Sequence, residues 1–291
     1  MVTAAALHGI DLSLMWATID RAADGRPVRA RQVCLAVPGA GRTVMLMVSG
    51  PSVWPEAQEH AERIAAINAA CAAFEQDRRK GARDTCLAQA LPEPGETWAA
   101  RAYLDAGFSH VGDLAYLRRP LHPIPESPTV SWPEGVTVRT VRALDGPSSD
   151  RVPVIEALDR SYVDTLDCPE LCGLRDTADV LESHRSTGVW DRNLWWLIFL
   201  HGQPHGCMLL NRCPDHDSVE LVYLGLSPEL RGKRIGSALL QLGLSRLAGS
   251  PADHVACAVD LRNVPARKLY ENAGFREISR RVALVRPIRA S

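Results

Sequence analysis

Two stretches of this chain read alike. Ala99-Ala100-Arg101-Ala102-Tyr103-Leu104-Asp105-Ala106-Gly107-Phe108 is echoed by Ala266-Arg267-Lys268-Leu269-Tyr270-Glu271-Asn272-Ala273-Gly274-Phe275. Tyr103 and Tyr270, Gly107 and Gly274, and Phe108 and Phe275 all lie 167 residues apart. The same offset relates Leu117 to Leu284, Arg119 to Arg286 and Pro120 to Pro287. One long offset without a gap signals a duplicated domain, not a short-period solenoid. A length of 291 residues accommodates two modest domains. Between the copies, His122-Pro-Ile-Pro-Glu-Ser-Pro128 is stiff and extended in composition. The expected division is therefore 1–126 and 127–291.

In the second copy, strands are expected at Gly135–Arg142, Leu194–His201, His205–Arg212, Ser218–Leu226, His254–Asp260 and Ala283–Val285. Helices are expected at Asp150–Thr165, Asp176–Ser186, Ile235–Leu247 and Val264–Asn272. In the first copy, Val28–Val37 and Thr43–Val48 form a hairpin pattern. Pro55–Glu75 and Thr97–Asp105 read as helices, and Thr85–Ala90 as a strand.

The segment richest in chemistry is Glu220-Leu-Val-Tyr-Leu224-Gly225-Leu226-Ser-Pro-Glu-Leu-Arg231-Gly232-Lys233-Arg234-Ile235-Gly236-Ser237. An apolar strand runs into a basic, glycine-bearing turn and then a helix. A helix start carries unpaired N–H groups and a partial positive charge, so it favours an anion. Glycines let backbone approach closely, and Arg231, Lys233 and Arg234 add charge. The turn suits a pyrophosphate. It is neither a Walker loop nor a dinucleotide fingerprint, because G-x-x-x-x-G-K-[ST] and G-x-G-x-x-G are both missing. A basic helix start without a ligand is the plainer reading of this segment alone.

Arg231-Gly-Lys-Arg-Ile-Gly236 resembles the acetyl-CoA loop of GCN5-related N-acetyltransferases, Arg/Gln-x-x-Gly-x-Gly/Ala, with Arg234 in place of the central glycine. Asn263-Val-Pro-Ala-Arg-Lys-Leu-Tyr270-Glu-Asn-Ala-Gly274-Phe275 resembles the same family's N-x-x-A-x-x-L-Y-x-x-x-G-F block. The resemblance implies an α/β fold with a mixed, mostly antiparallel sheet flanked by helices, here as two tandem GNAT-like domains. It implies an N-acetyltransferase that moves an acetyl group from acetyl-CoA to a primary amine of a small molecule or peptide by direct attack. Leu224, Gly225, Leu226, Arg231, Gly232, Lys233, Arg234, Ile235, Gly236, Ser237 and Asn263 would then bind acetyl-CoA. If Arg234 keeps a helical φ, its N–H stays available to a phosphate.

Glu220 is implied as general base, directly or through water, and Tyr270 as the proton donor to the leaving thiolate. A solvent-facing strand carboxylate, a packing tyrosine and a simple helix cap at Asn263 are the plain alternatives. The loop Asp164-Thr-Leu-Asp-Cys-Pro-Glu-Leu-Cys-Gly173 would line the acceptor pocket, where Asp164, Asp167 and Glu170 favour a cationic amine; a solvated acidic loop accounts for them equally well. Trp190, Trp195 and Trp196 are candidates for the cleft wall or for core. The first copy lacks a basic glycine turn after its strand and carries Glu96 where the second has Asn263. It is expected to be degenerate and to bind no acetyl-CoA. A catalytically silent CoA-binding module is the rival reading of the whole.

A net charge of −1 gives no electrostatic case for nucleic acid. No apolar run approaches the roughly 18 residues that cross a bilayer. The start, Met1–Leu14, lacks a secretory pattern, so no membrane association and a cytoplasmic location are expected. The eight cysteines are dispersed and read as reduced thiols. Cys168, Cys172, His201 and His205 are a weak zinc candidate against ordinary loop and core roles, and no metal is expected.

Overall fold

The structure, a computed structural model, describes residues 10–52, 55–124 and 131–289. Most of the expected proline-rich linker, and the expected boundary at 126/127, lie outside the described residues. The chain divides into two compact units, one formed by the chain up to Gly112 together with Arg281 onward, the other by Asp113–Arg280.

The first unit contains β1 (Met15–Arg21), β2 (Pro27–Gly39), β3 (Thr43–Val48), α1 (Glu56–Arg79), β4 (Leu87–Ala90) and α2 (Thr97–Asp105). It also takes the end of β11 (Arg276–Pro287), whose Leu284–Pro287 pair antiparallel with Leu87–Ala90. β1, β2 and β3 are antiparallel neighbours, while β3 and β4 are parallel. Parallel neighbours need a long crossover, which α1 supplies. α1 turns Arg63, Ala66, Ile67, Ala70, Cys71 and Phe74 to the sheet at helical spacing.

The second unit contains most of β5 (Ser109–Pro120), then β6 (Val136–Thr140), α3 (Arg151–Tyr162), α4 (Thr177–Ser186), β7 (Trp195–Leu200), β8 (Gln203–Cys213), β9 (Ser218–Leu226), α5 (Ile235–Ser245), β10 (His254–Asp260) and α6 (Val264–Asn272). Its strands run β5-β10-β9-β8-β7-β6. All neighbours are antiparallel except β9 and β10. On one face α5 lays Leu239, Leu240 and Leu244 on Val219 and Leu221. On the other, α3 and α4 lay Val154, Ala157, Leu158 and Leu181 on Trp195, Leu197 and Leu209.

The division differs from the linear one expected from the linker. Asp113–Pro120 falls with the second unit because β5 pairs along β10 from Leu114 to Pro120. The last residues fall with the first unit because β11 ends on β4. β1 and β5 had no counterpart in the sequence reading, and β11 is longer than expected. Trp195 and Trp196 are 0% and 2% exposed and belong to the core; Trp190 packs edge-on to Trp195.

Candidate active site

β9 and β10 start as a parallel pair and then part. Their register runs from Ser218↔His254 to Glu220↔Ala256 and stops there. Beyond it a cleft of about 570 Å³ opens, with Leu221–Leu226 on one wall and Ala258 and Val259 on the other. Asn263 just ahead of α6, Tyr270 on it, Arg231, Gly232 and Arg234–Ser237 of the turn, and the loop Asp164–Asp167 complete it. Of the residues singled out from sequence, Asp164, Asp167, Leu224, Gly225, Leu226, Arg231, Gly232, Arg234, Ile235, Gly236, Ser237, Asn263 and Tyr270 converge on this cleft. Glu220, Lys233 and Glu170 do not line it.

The strand is shaped by a bulge. Leu221 faces Leu210 and Tyr223 faces Leu209, which leaves Val222 unopposed on β8. The extra residue resets the side-chain alternation. Val219, Leu221, Leu224 and Leu226 pack toward α5, while Val222 and Tyr223 both pack toward α3 and α4. Gly225 is required beside them, because a Cβ there would stand 2.4 Å from the Tyr223 hydroxyl oxygen.

At the closed end of the fork stands Glu220. Burial pushes its carboxyl up to about 7. The residue as a whole is half-buried.

At the open end the chain enters α5. Arg234 precedes it at φ 59°, in the left-handed region, and offers no side-chain cap. A helical φ there is thus ruled out, and the residue holds the conformation that a glycine adopts more cheaply. Among the described residues, the N–H groups of Gly232 through Ser237 donate to no protein acceptor. The result is a donor cradle at the start of an 11-residue helix. The side chains of Lys233 and Arg234 make no ion pair with any described residue.

Arg231 has a different task from the phosphate contact implied by sequence. Its guanidinium donates to the carbonyls of Leu226 at 2.9 Å, Asp164 at 3.0 Å, and Ser161 and Val163 at 2.8 Å each. Its own N–H goes to the Pro228 carbonyl. It thereby closes the C-terminus of α3, whose last carbonyls have no helical partner, and ties it to the end of β9.

The acidic loop is also committed in part. Asp260 is fully buried and accepts from the Cys168 N–H at 3.1 Å, while its own N–H donates to Asp167 Oδ1 at 2.8 Å. Arg262 bridges Asp260 at 2.7 Å and Glu170 at 2.6 Å. Glu170 is neutralised there and is no free anion for a cationic amine. Desolvation of its carboxyl, helped by the Asp260 charge, holds Asp167 above the usual range although the residue as a whole is exposed. Asp164 keeps its carboxylate unpaired among the described residues. The sequence reading missed Asp260 and Arg262, since they act on the loop from 92 or 93 residues away.

Asn263 caps α6 by accepting the Ala266 N–H at 3.2 Å with Oδ1, so the plain capping role holds. Its Nδ2 amide has no acceptor among the described residues, and the residue lines the cleft. Tyr270 is 6% exposed and packs on Phe275, and its hydroxyl has no hydrogen-bond partner among the described residues. Burial raises the phenol well above its usual value, so it carries its proton throughout the physiological range. Of the zinc candidates, His205 bonds Ser227 at 2.8 Å through Nδ1, and among the described residues no group of three or more His, Cys, Asp or Glu is arranged to hold a metal ion.

The sequence profile described as the Acetyltransferase (GNAT) family matches residues 162–275. A mycothiol acetyltransferase of Thermomonospora curvata is 30% identical over 209 residues, 68% of this chain and 67% of that protein. The chain belongs to the GNAT acetyltransferase family. A second mycothiol acetyltransferase, from Beutenbergia cavernae, is 32% identical over 99 residues, a third of each protein. Among solved structures, a GCN5-related N-acetyltransferase from Sphaerobacter thermophilus superposes with a TM-score of 0.60 at 22% identity, over 99% of this chain and 85% of that one. These likenesses make the protein an N-acetyltransferase of a family that uses acetyl-CoA. The mixed, mostly antiparallel α/β architecture expected from sequence is the GNAT fold. No helix among the described residues is long and apolar enough to cross a membrane.

Proposed function

We propose that the second unit transfers an acetyl group from acetyl-CoA to a primary amine by direct attack within the β9–β10 fork. The fork itself carries the reading, because it is a strand edge that leads to six N–H groups at a helix start with no acceptor among the described residues. The Gly232–Ser237 amides and the side chains of Lys233 and Arg234 suit a pyrophosphate. The edge of Leu224–Leu226 suits an extended amide-bearing arm, bound as a further strand would be. Acetyl-CoA supplies a thioester carbonyl and a thiolate leaving group.

An amine arriving as ammonium must lose a proton. Glu220, half-ionised near neutral pH, takes it through water, since the carboxyl stands at the fork's closed end and outside the cleft wall. The Leu226 N–H steadies charge that develops on the carbonyl oxygen. Tyr270, protonated and with no hydrogen-bond partner among the described residues, gives its proton to the departing sulfur. Asp164 attracts the cationic amine. The acceptor is a small molecule or peptide carrying that amine.

The first unit we assign a supporting role without an acetyl-CoA site. Its β3–β4 pair also parts, after Met45↔Gln89. There the Tyr103 hydroxyl donates to the Leu46 carbonyl, and the buried Glu59 carboxylate accepts the Ser52 N–H at 2.9 Å just ahead of α1. The chain's own groups thus occupy both the fork and the anion position.

The test is a calorimetric titration with acetyl-CoA followed by a thiol-release assay over a lysyl peptide, glucosamine, spermidine and cysteine amide. One bound acetyl-CoA per chain and amine-dependent release are expected. Binding without release would favour a silent CoA-binding module, and no binding would end the reading.

A further inference from the structure

Tyr223 was not singled out by any motif, yet its place in the cleft is over-determined. The bulge turns it to the α3–α4 face, and its ring lies along the strand across Gly225. Tyr162 meets the ring edge-on at 5.8 Å and the His184 ring stands at 5.3 Å. A phenol held between two rings and the strand beneath it has little rotamer freedom.

Its proton is equally committed. The Tyr223 hydroxyl lies 2.7 Å from Ser161 Oγ, and Ser161 Oγ lies 2.7 Å from the Leu158 carbonyl. A carbonyl only accepts, so the single Ser161 hydrogen goes to Leu158. Ser161 must then accept from Tyr223. The phenol oxygen is left with lone pairs and no further hydrogen, at a point where Ser161, Tyr223 and Gly225 all line the cleft. Burial keeps the phenol neutral.

We infer that Tyr223 is a substrate-binding residue for the acceptor, its phenol oxygen accepting one N–H of the amine. This rests on the acetyl-transfer reading above and adds to it a specificity element. An incoming ammonium has three N–H groups. Tyr223 holds one, and another is left to the proton path of Glu220, three residues earlier on the same strand. A primary amine keeps two N–H groups once that proton has left, either of which can meet the phenol oxygen, whereas a secondary amine keeps one, so the site favours the primary amine. The Ser161–Leu158 relay is the positioning device that keeps the phenol an acceptor.

The experiment uses the full chain with the fastest amine of the four-compound panel and its N-methyl derivative. Tyr223→Phe should raise the amine KM roughly tenfold, the worth of one hydrogen bond to a charged group, with the acetyl-CoA KM within twofold of wild type. It should also shrink the preference for the primary over the N-methyl amine. Ser161→Ala should raise the amine KM severalfold and add nothing to Tyr223→Phe in the double variant, because both act through one oxygen. An unchanged amine KM in Tyr223→Phe, or an equal rise in both KM values, would overturn the inference alone. Absence of thiol release by the wild type with every amine would overturn the transferase reading, and this inference with it.

Discussion

The hydroxyl of Tyr103 donates to the carbonyl of Leu46 at 2.8 Å, across the point where β3 and β4 part. Tyr270, its counterpart 167 residues on, stands at the same point of the second fork and bonds to none of the described residues. The two tyrosines lie in like sequence blocks, on α2 and on α6, and differ in whether the strand has claimed the phenol. A proton donor has to be free of the fold it sits in, and of the two it is Tyr270 that meets this condition.

Replacing these two residues should therefore give opposite outcomes. Tyr270→Phe is expected to lower kcat roughly 100-fold, the low end for a lost general acid, while calorimetry shows unchanged acetyl-CoA affinity. Tyr103→Phe should leave kcat alone and lower stability by about 1 kcal/mol in urea unfolding, because it removes one buried hydrogen bond. A rate loss in Tyr103→Phe, or none in Tyr270→Phe, would reverse the assignment of the two units.

Much of this was open to reading in the chain itself. The bounds of β9, β10 and α6 follow from apolar runs closed by Pro, Gly and Asn, and the cradle follows from a strand that ends in a basic turn. What stayed hidden depends on distant partners. Arg231 reads as a phosphate ligand until α3 and β9 bring four carbonyls within its reach. Glu170 reads as a free anion until Arg262 arrives from the turn after β10. The bulge at Val222 leaves no trace in composition, so Tyr223 could not be assigned to a face. The exchange of β11 into the first unit is a pairing choice that periodicity does not encode.

With Glu220 as the proposed base, activity should depend on pH. Its carboxyl is raised from 4.5 to about 7 by burial, so kcat/KM should climb through an acid limb centred near pH 7. Stability should move the other way. The folded state holds this proton more tightly than the unfolded chain, so the contribution is favourable below pH 4.5 and is lost as pH rises through 7. Glu220→Gln should flatten the acid limb in steady-state profiles. It should also unfold at higher urea than wild type at pH 8, by about 2–3 kcal/mol, with the gap closing at pH 5. A gap that persists at pH 5 would mean that packing, not charge, sets the difference.

Arg234 sets conformation against charge. At φ 59° it sits where a side chain costs about 1 kcal/mol that glycine avoids. Arg234→Gly should raise the melting midpoint by a few degrees in a thermal scan. The same change removes a cation from the cradle and should weaken acetyl-CoA severalfold, an effect that fades in 1 M salt as screening removes the contribution of charge. Arg234→Ala, which keeps the Cβ and drops the charge, should weaken binding without the gain in stability. Equal melting points for the Gly and Ala variants would mean that the backbone is not strained there.

The last test concerns the glycine beneath the phenol. A Cβ at residue 225 would stand 2.4 Å from the Tyr223 hydroxyl oxygen and 2.5 Å and 2.6 Å from two ring carbons, closer than packed atoms allow. Gly225→Ala must therefore push the ring off the strand and break its bond to Ser161, at about 1–3 kcal/mol for overpacking. If the ring is the obstacle, the cost is conditional on it. In a Tyr223→Ala background the same substitution should cost less than about 1 kcal/mol, so the urea-unfolding cycle of the two single variants and the double variant should close with a coupling of about 1–2 kcal/mol. Near-additive values would place the obstacle in the backbone of β9, and the Tyr223 ring would no longer account for a glycine at that position.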